Sequence, residues 1–90
     1  MKTLEESRME IDELDAKLVE LLARRIYATA ELAAAKKAQG LPLYDQMRED
    51  LLMRRVRQLA GPSYEESVSR IYETIVNEEK QMFIQRFMDY

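Results

Sequence analysis

The stretch LVELLARRIYATAELAAAKK, residues Leu18–Lys37, decides the fold of this chain. It is rich in helix-forming residues, and its apolar side chains recur at intervals of three and four, the spacing of a helix that packs along one face. Two cations interrupt the pattern. Arg25 stands where a leucine is expected, and Lys36 lies further along nearly the same line. The stretch therefore predicts a helix whose packing face carries positive charge.

The same spacing extends in both directions and predicts a first helix from about Thr3 to Ala38. Its apolar positions are Leu4, Ile11, Leu14, Leu18, Leu21, Ala28, Leu32 and Ala35. Thr3 and Glu6 have the spacing of a capping box, in which each side chain accepts a hydrogen bond from the other residue's backbone N–H. Gly40 and Pro42 follow the last periodic residue and are typical helix terminators.

Two shorter helices are predicted after the first. Asp45 is a candidate N-cap for the second helix, which continues through LLMRRVRQLA and ends at Gly61. Ser63 and Glu66 have the spacing of another capping box at the start of the third helix. The third helix carries apolar residues on one side: Val68, Ile71, Tyr72, Ile75, Val76, Met82 and Phe83. With no strand-like alternation, the fold class is all-α.

The length of the first helix predicts a dimer. About 35 residues at 1.5 Å per residue make a rod of roughly 50 Å, whereas a compact monomer of this size has a radius of gyration of about 12 Å. Two shorter helices cannot cover such a rod. Its apolar seam therefore predicts a second copy of the chain in a two-fold homodimer, each chain forming a single domain over residues 1–90.

Composition narrows the possible functions. The 90 residues include no Cys and no His, so disulfides, thiolate catalysis and the commonest metal ligand are excluded, and no metal or cofactor is predicted. The net charge of −3 argues against nucleic-acid binding despite the basic run RRVR. No segment has the length and apolarity of a membrane span, and no signal core is present, which predicts a cytoplasmic protein.

The two seam cations have the geometry to bind one small anion. Eleven helical steps separate Arg25 from Lys36, about 20° around the helix and roughly 16 Å along it. Arg8 lies about 25 Å from Arg25 and roughly 100° around the axis, too far to serve the same small site in its own chain. In an antiparallel dimer, Arg8 of the partner subunit could complete that site.

Each of these charges also has a purely structural interpretation. Arg25 could extend to the surface with its stem packed against the seam, and Lys36 could simply interact with the helix dipole. Asp45 could act as an N-cap only, and Arg48 and Glu49 could form a solvated pair. Spacing alone leaves these alternatives open.

Together these residues resemble one family. Arg8, the run IDELDAKLVELLARR at residues 11–25, Lys36 and the run PLYDQMRE at residues 42–49 are similar to the corresponding parts of the all-helical chorismate mutases. The resemblance covers nearly the whole chain. It implies an intertwined homodimer of three-helix chains that converts chorismate to prephenate in aromatic amino acid biosynthesis, the shikimate pathway.

The resemblance also implies roles for the three cations of the first helix. Arg25 and Arg8 of the partner subunit would hold the two carboxylates of chorismate. Lys36 would contact a carboxylate and the ether oxygen of the breaking bond. These three residues are the predicted catalytic set, and the small dicarboxylate is the predicted partner besides the second chain.

The remaining predicted substrate contacts lie on the second and third helices. Glu49 would accept the ring hydroxyl, and Asp45 and Arg48 would support that end of the substrate. The family usually has a Gln donor on the third helix at the position of Phe83, and often a small polar residue at that of Glu79. Since phenylalanine donates no hydrogen bond, the resemblance implies a rate reduced by about a hundred- to thousandfold, by analogy with a lost oxyanion-hole donor.

Two other functions fit the same residues. A helical dimerisation or ligand-sensing module could keep the pocket without catalysis. An isochorismate-pyruvate lyase on this fold would use the same cations.

Overall fold

The computed structural model describes the backbone of residues 1–88 and the side chains of residues 1–83. Over residues 1–88 it contains three α-helices and no strand: α1 (Leu4–Ala38), α2 (Gln46–Ala60) and α3 (Glu65–Met88). The predicted all-α class is confirmed, and so is a first helix of 35 residues. Among the described residues, no helix combines the length and apolarity needed to cross a bilayer.

The start of α1 is fixed by the predicted capping box. The backbone N–H of Glu6 donates to Oγ1 of Thr3 over 3.1 Å, and the N–H of Thr3 donates to Oε1 of Glu6 over 3.2 Å. Two N–H groups that have no partner within the helix are thereby satisfied.

The end of α1 is a Schellman turn. Gly40 has a φ of +69°, which L side chains rarely adopt. Its N–H donates to the carbonyl of Lys37 over 3.1 Å, and the N–H of Leu41 donates to the carbonyl of Lys36 over 2.9 Å. These two bonds close the last turn and direct the chain away from the helix axis.

Both ends of α2 are set by single residues. Oδ1 of Asp45 accepts hydrogen bonds from the N–H groups of Met47 and Arg48, at 3.1 and 3.4 Å. The predicted N-cap is therefore confirmed. At the other end Gly61 has φ 82° and ψ 165°, a backbone region that is essentially restricted to glycine, and the helix stops there.

The start of α3 differs from the prediction. The N–H groups of Tyr64 and Glu65 both donate to the carbonyl of Gly61, at 3.1 and 2.9 Å, so a turn precedes a helix that begins at Glu65. Oε1 of Glu66 accepts a hydrogen bond from Arg57 over 2.9 Å. The predicted Ser63–Glu66 capping box is therefore wrong: Glu66 joins the end of α2 to the start of α3 instead.

The chain divides into two compact units, Met1–Glu31 and Leu32–Tyr90. In the second unit α2 packs against α3. Among the side chains that the structure describes in this unit, the most buried are those of Ala33, Val56, Ser69, Glu79 and Phe83. A single domain over residues 1–90 stays a prediction.

The first unit presents its apolar seam to the surface. Five seam residues are 47–69% exposed: Leu4, Ile11, Leu14, Leu18 and Leu21. A row of exposed leucine and isoleucine of this length is unusual on a monomer and is typical of an interaction surface.

Candidate active site

The first unit carries two of the predicted site residues. Arg8 is exposed and lines an open depression together with Ser7, Ile11 and Asp12. Arg25 is half-buried, although it belongs to a helix whose neighbouring positions are mostly exposed. Partial burial of this side chain at a seam position is compatible both with a binding role and with a packed stem.

Lys36 is half-buried at the end of α1. Its Nζ donates to the backbone carbonyl of Leu43 over 3.4 Å, near the upper limit for a hydrogen bond. The contact arises because the turn at Gly40 brings the following segment back beside the last helical turn. Its ammonium is thus directed at the loop between α1 and α2, and the weak bond leaves it capable of contacting an anion.

The N-cap and the first turn of α2 carry Asp45 and Arg48, both exposed. Asp45 uses Oδ1 for the two backbone hydrogen bonds of the N-cap. Its predicted N-cap role is therefore confirmed, and a further role in binding would have to use the same carboxylate. Arg48 donates its backbone N–H to that cap, which fixes where its side chain leaves the helix.

Glu49 is held by a residue that the sequence analysis did not select. Nζ of Lys80, on α3, lies 2.9 Å from Oε1 and 2.7 Å from Oε2 of Glu49. The same ammonium lies 4.3 Å from the centroid of the Tyr44 ring, within range of a cation–π interaction. No local spacing in the sequence indicated this pair, because the two residues are 31 positions apart in the chain.

Glu79 and Phe83 lie one turn apart on α3 and are both buried, at 4% and 5% exposure. Phe83 thus contributes to the packed interior of the second unit. Burying a carboxylate as deeply as that of Glu79 lowers the free energy of unfolding unless polar groups compensate its charge. The residues around Glu79 therefore have to supply such groups.

The second unit therefore carries the other residues of the predicted site. Glu49 of α2 is paired with Lys80 of α3, and Lys36 donates to the loop before α2. Asp45 is the N-cap of α2, and Arg48 lies in its first turn. Over the described residues, no group of three or more acidic side chains is placed to hold a metal ion. The substrate contacts assigned from the sequence stay predictions.

Comparison with known proteins gives one family and two relatives. The family model described as chorismate mutase type II matches residues 7–82. A chorismate mutase of Methanocaldococcus jannaschii is 29% identical over 84 residues, covering 91% of this chain and 85% of the relative. The T-protein of Haemophilus influenzae is 39% identical over 49 residues, 54% of this chain but only 13% of that protein. No solved structure gives a significant match.

Proposed function

Because the chain belongs to the chorismate mutase type II family, we propose that it rearranges chorismate to prephenate. The observation that carries the proposal is the extent of the match: residues 7–82 include Arg8, Arg25, Lys36, Glu49 and the α3 segment up to Met82. Such a reaction would belong to aromatic amino acid biosynthesis. A cytoplasmic location stays a prediction.

The active form is proposed to be a homodimer joined through the α1 seam. Full burial of one leucine side chain contributes about 1.5–3 kcal/mol. The exposed row from Leu4 to Leu21 therefore offers enough apolar surface for stable association once it meets a second copy of itself. An antiparallel arrangement of the two α1 helices would bring Arg8 of the partner subunit towards Arg25 and form two equivalent sites.

The three cations of α1 suit the chemistry of this rearrangement. It is a unimolecular pericyclic shift that requires no nucleophile and no general base. The enzyme has to hold a flexible dianion in a compact conformation and stabilise negative charge that develops on the ether oxygen. Arg25 and Arg8 of the partner subunit would fix the two carboxylates, and Lys36 would stabilise the ether oxygen.

The first turn of α2 would bind the other end of the substrate. Glu49 is proposed to accept a hydrogen bond from the ring hydroxyl, with Asp45 and Arg48 beside it. Glu49 is half-buried and ion-paired, so its carboxylate is oriented before substrate arrives.

The third helix offers no amide donor at position 83. We expect Lys36 to be the sole donor to the ether oxygen, with a kcat about a hundred- to thousandfold lower than that of a site with two donors. For the same reason, a dimeric ligand-binding module without catalysis is the second candidate function. An isochorismate-pyruvate lyase would show itself by release of pyruvate from isochorismate.

The proposal is tested by mixing purified protein with chorismate and following prephenate by NMR. Arg25→Ala is expected to lower kcat/KM by at least about a hundredfold, because it leaves a substrate carboxylate without its charged partner. Arg24→Ala is the matched control, since it removes an exposed arginine from the adjacent position. Both variants are expected to remain dimers in sedimentation.

Two outcomes would contradict the proposal. If the wild-type protein neither turns over chorismate nor binds a bicyclic dicarboxylate mimic of the transition state, the function is wrong. If Arg25→Ala unfolds the chain while Arg24→Ala does not, Arg25 is a structural residue and the site assignment is wrong.

A further inference from the structure

Glu49 and Lys80 form an ion pair that joins α2 to α3. Both carboxylate oxygens of Glu49 lie within 2.9 Å of one ammonium group. The two side chains are 23% and 29% exposed, compared with 65% and 41% for Glu66 and Arg57. Solvent weakens the Glu49–Lys80 pair less than the Glu66–Arg57 pair. The Glu49–Lys80 pair therefore constrains its two side chains more strongly.

The aromatic ring of Tyr44 supports the same ammonium from another side. The ring centroid lies 4.3 Å from Nζ of Lys80, which adds a cation–π contact to the ion pair. Tyr44 directly follows Leu43, whose carbonyl accepts the hydrogen bond from Lys36. One short loop therefore contacts two lysines, one from α1 and one from α3.

The position of Lys80 on α3 relates it to the residues of the proposed substrate pocket. It follows the buried Glu79 directly and precedes the buried Phe83 by three residues. Phe83 supplies no hydrogen-bond donor, and Glu79 brings a carboxylate into the same part of the helix. The ammonium of Lys80 therefore compensates the charge of Glu49 close to these two buried residues of α3.

We propose that Lys80 is a positioning residue of the chorismate site, which orients Glu49 to accept the ring hydroxyl and offsets its negative charge. This inference rests on the proposed function. A carboxylate has about four lone-pair positions, so Glu49 can accept a further hydrogen bond while it stays paired with Lys80. The pairing also lowers the repulsion that a dianionic substrate would meet at an uncompensated carboxylate.

Lys80→Met tests this role, because methionine keeps much of the length and the apolar stem and removes the charge. We expect kcat/KM for chorismate to fall by about tenfold or more, a typical effect of losing one oriented, charge-assisted contact. Lys80→Arg keeps the cation and is expected to retain most of the activity. Arg70→Met is the matched control, since it removes a cation from an exposed position on the same helix.

A double-mutant cycle with Glu49→Gln separates positioning from a general structural effect. If Lys80 acts through Glu49, Lys80→Met changes kcat/KM by less than about twofold in the Glu49→Gln background, because the coupled residue is already lost. Full additivity of the two losses would overturn the proposal. Lys80→Gln repeats the cycle if Lys80→Met fails to fold.

The failure of this inference can be distinguished from that of the proposed function. If the wild-type protein neither turns over chorismate nor binds the bicyclic dicarboxylate mimic in calorimetry, both the role of Lys80 and the proposed function are wrong. If the wild-type protein is active and both Lys80→Met and Arg70→Met keep that activity, only the proposed role of Lys80 is wrong. Activity that depends on Lys80 only in the presence of Glu49 supports both.

Discussion

The units Met1–Glu31 and Leu32–Tyr90 differ in how far their apolar side chains are covered. In the second unit α2 packs on α3, and Val56 and Phe83 are buried at 6% and 5% exposure. In the first unit the seam leucines stay about half exposed or more. An isolated helix gains little stability from local hydrogen bonds alone, so this exposed seam is a candidate interaction surface.

The charges of the two units show a related difference. In the second unit, Glu49 meets Lys80, Glu66 meets Arg57, and both contacts join α2 to α3. In the first unit, Arg8 is exposed beside apolar Ile11. A dimer through α1 would bury the seam and bring the first unit's cations to a shared site in one step.

The largest effect is expected at the seam. Leu18→Lys places an ammonium where the proposed two-fold interface buries a leucine from each chain. The loss of two buried leucines amounts to about 3–6 kcal/mol, so the dimer dissociation constant is expected to rise by a hundredfold or more. Sedimentation equilibrium over a range of protein concentrations measures this change.

Glu20→Lys is the control for the seam variant. It introduces the same side chain two residues away, at an exposed position off the apolar row. We expect it to leave the dissociation constant within about threefold of wild type, as is usual for a surface substitution. Equal effects of Leu18→Lys and Glu20→Lys would show that the seam is not the interface.

A moderate effect is expected in the core of the second unit. Val56→Ala removes two methyl groups at a position that is 6% exposed, and should lower the free energy of unfolding by about 2 kcal/mol from lost burial and a residual cavity. Leu59→Ala removes more carbon, but from a side chain that is 74% exposed, and should cost much less. Chemical denaturation measures both. The reverse order would mean that Leu59, not Val56, is covered in the assembled protein.

The smallest effect is expected at the Arg57–Glu66 contact. The hydrogen bond from Arg57, with its charge, lowers the pKa of Glu66 below the usual value of 4.5. A lowered carboxyl pKa in the folded state gives stability that is present above the unfolded pKa and is lost as the pH falls through the folded one. Glu66→Gln should therefore lower the melting temperature slightly at pH 7 and not at all well below pH 4.5.

The pH dependence provides the test of that contact. Glu65→Gln changes the neighbouring carboxylate and is the matched control, since Glu65 contributes to the raised pKa of Arg57 only through charge. A difference between wild type and Glu66→Gln that persists unchanged into acid would show that the ion pair does not stabilise the join between α2 and α3.

Much of the fold was predictable because its signals are local. The capping box of Thr3 and Glu6, the N-cap at Asp45 and the glycine stops at Gly40 and Gly61 each depend on residues within one turn of each other. The start of α3 was not predicted, because Glu66 had a second partner, Arg57, nine residues away. A distant partner of this kind leaves no periodic signal.

The candidate site was predictable only in part. The chemical types and spacing on α1 pointed to Arg25 and Lys36, and partial burial of both is compatible with that prediction. Lys80 was missed, because its importance depends on the distance from its ammonium to Glu49, 31 residues earlier in the chain. Only the packing of α3 on α2 reveals that pair.

The sequence by itself determined that the chain is helical, where α1 and α2 begin, and which residues stop them, since helix propensity and capping act within a few residues. It also determined that cations interrupt an apolar seam. The tertiary structure decided which side chains are buried and which charges meet, because burial and ion pairing depend on distances between helices. Glu79, Phe83 and the Glu49–Lys80 pair acquired their surroundings only when α3 packed on α2.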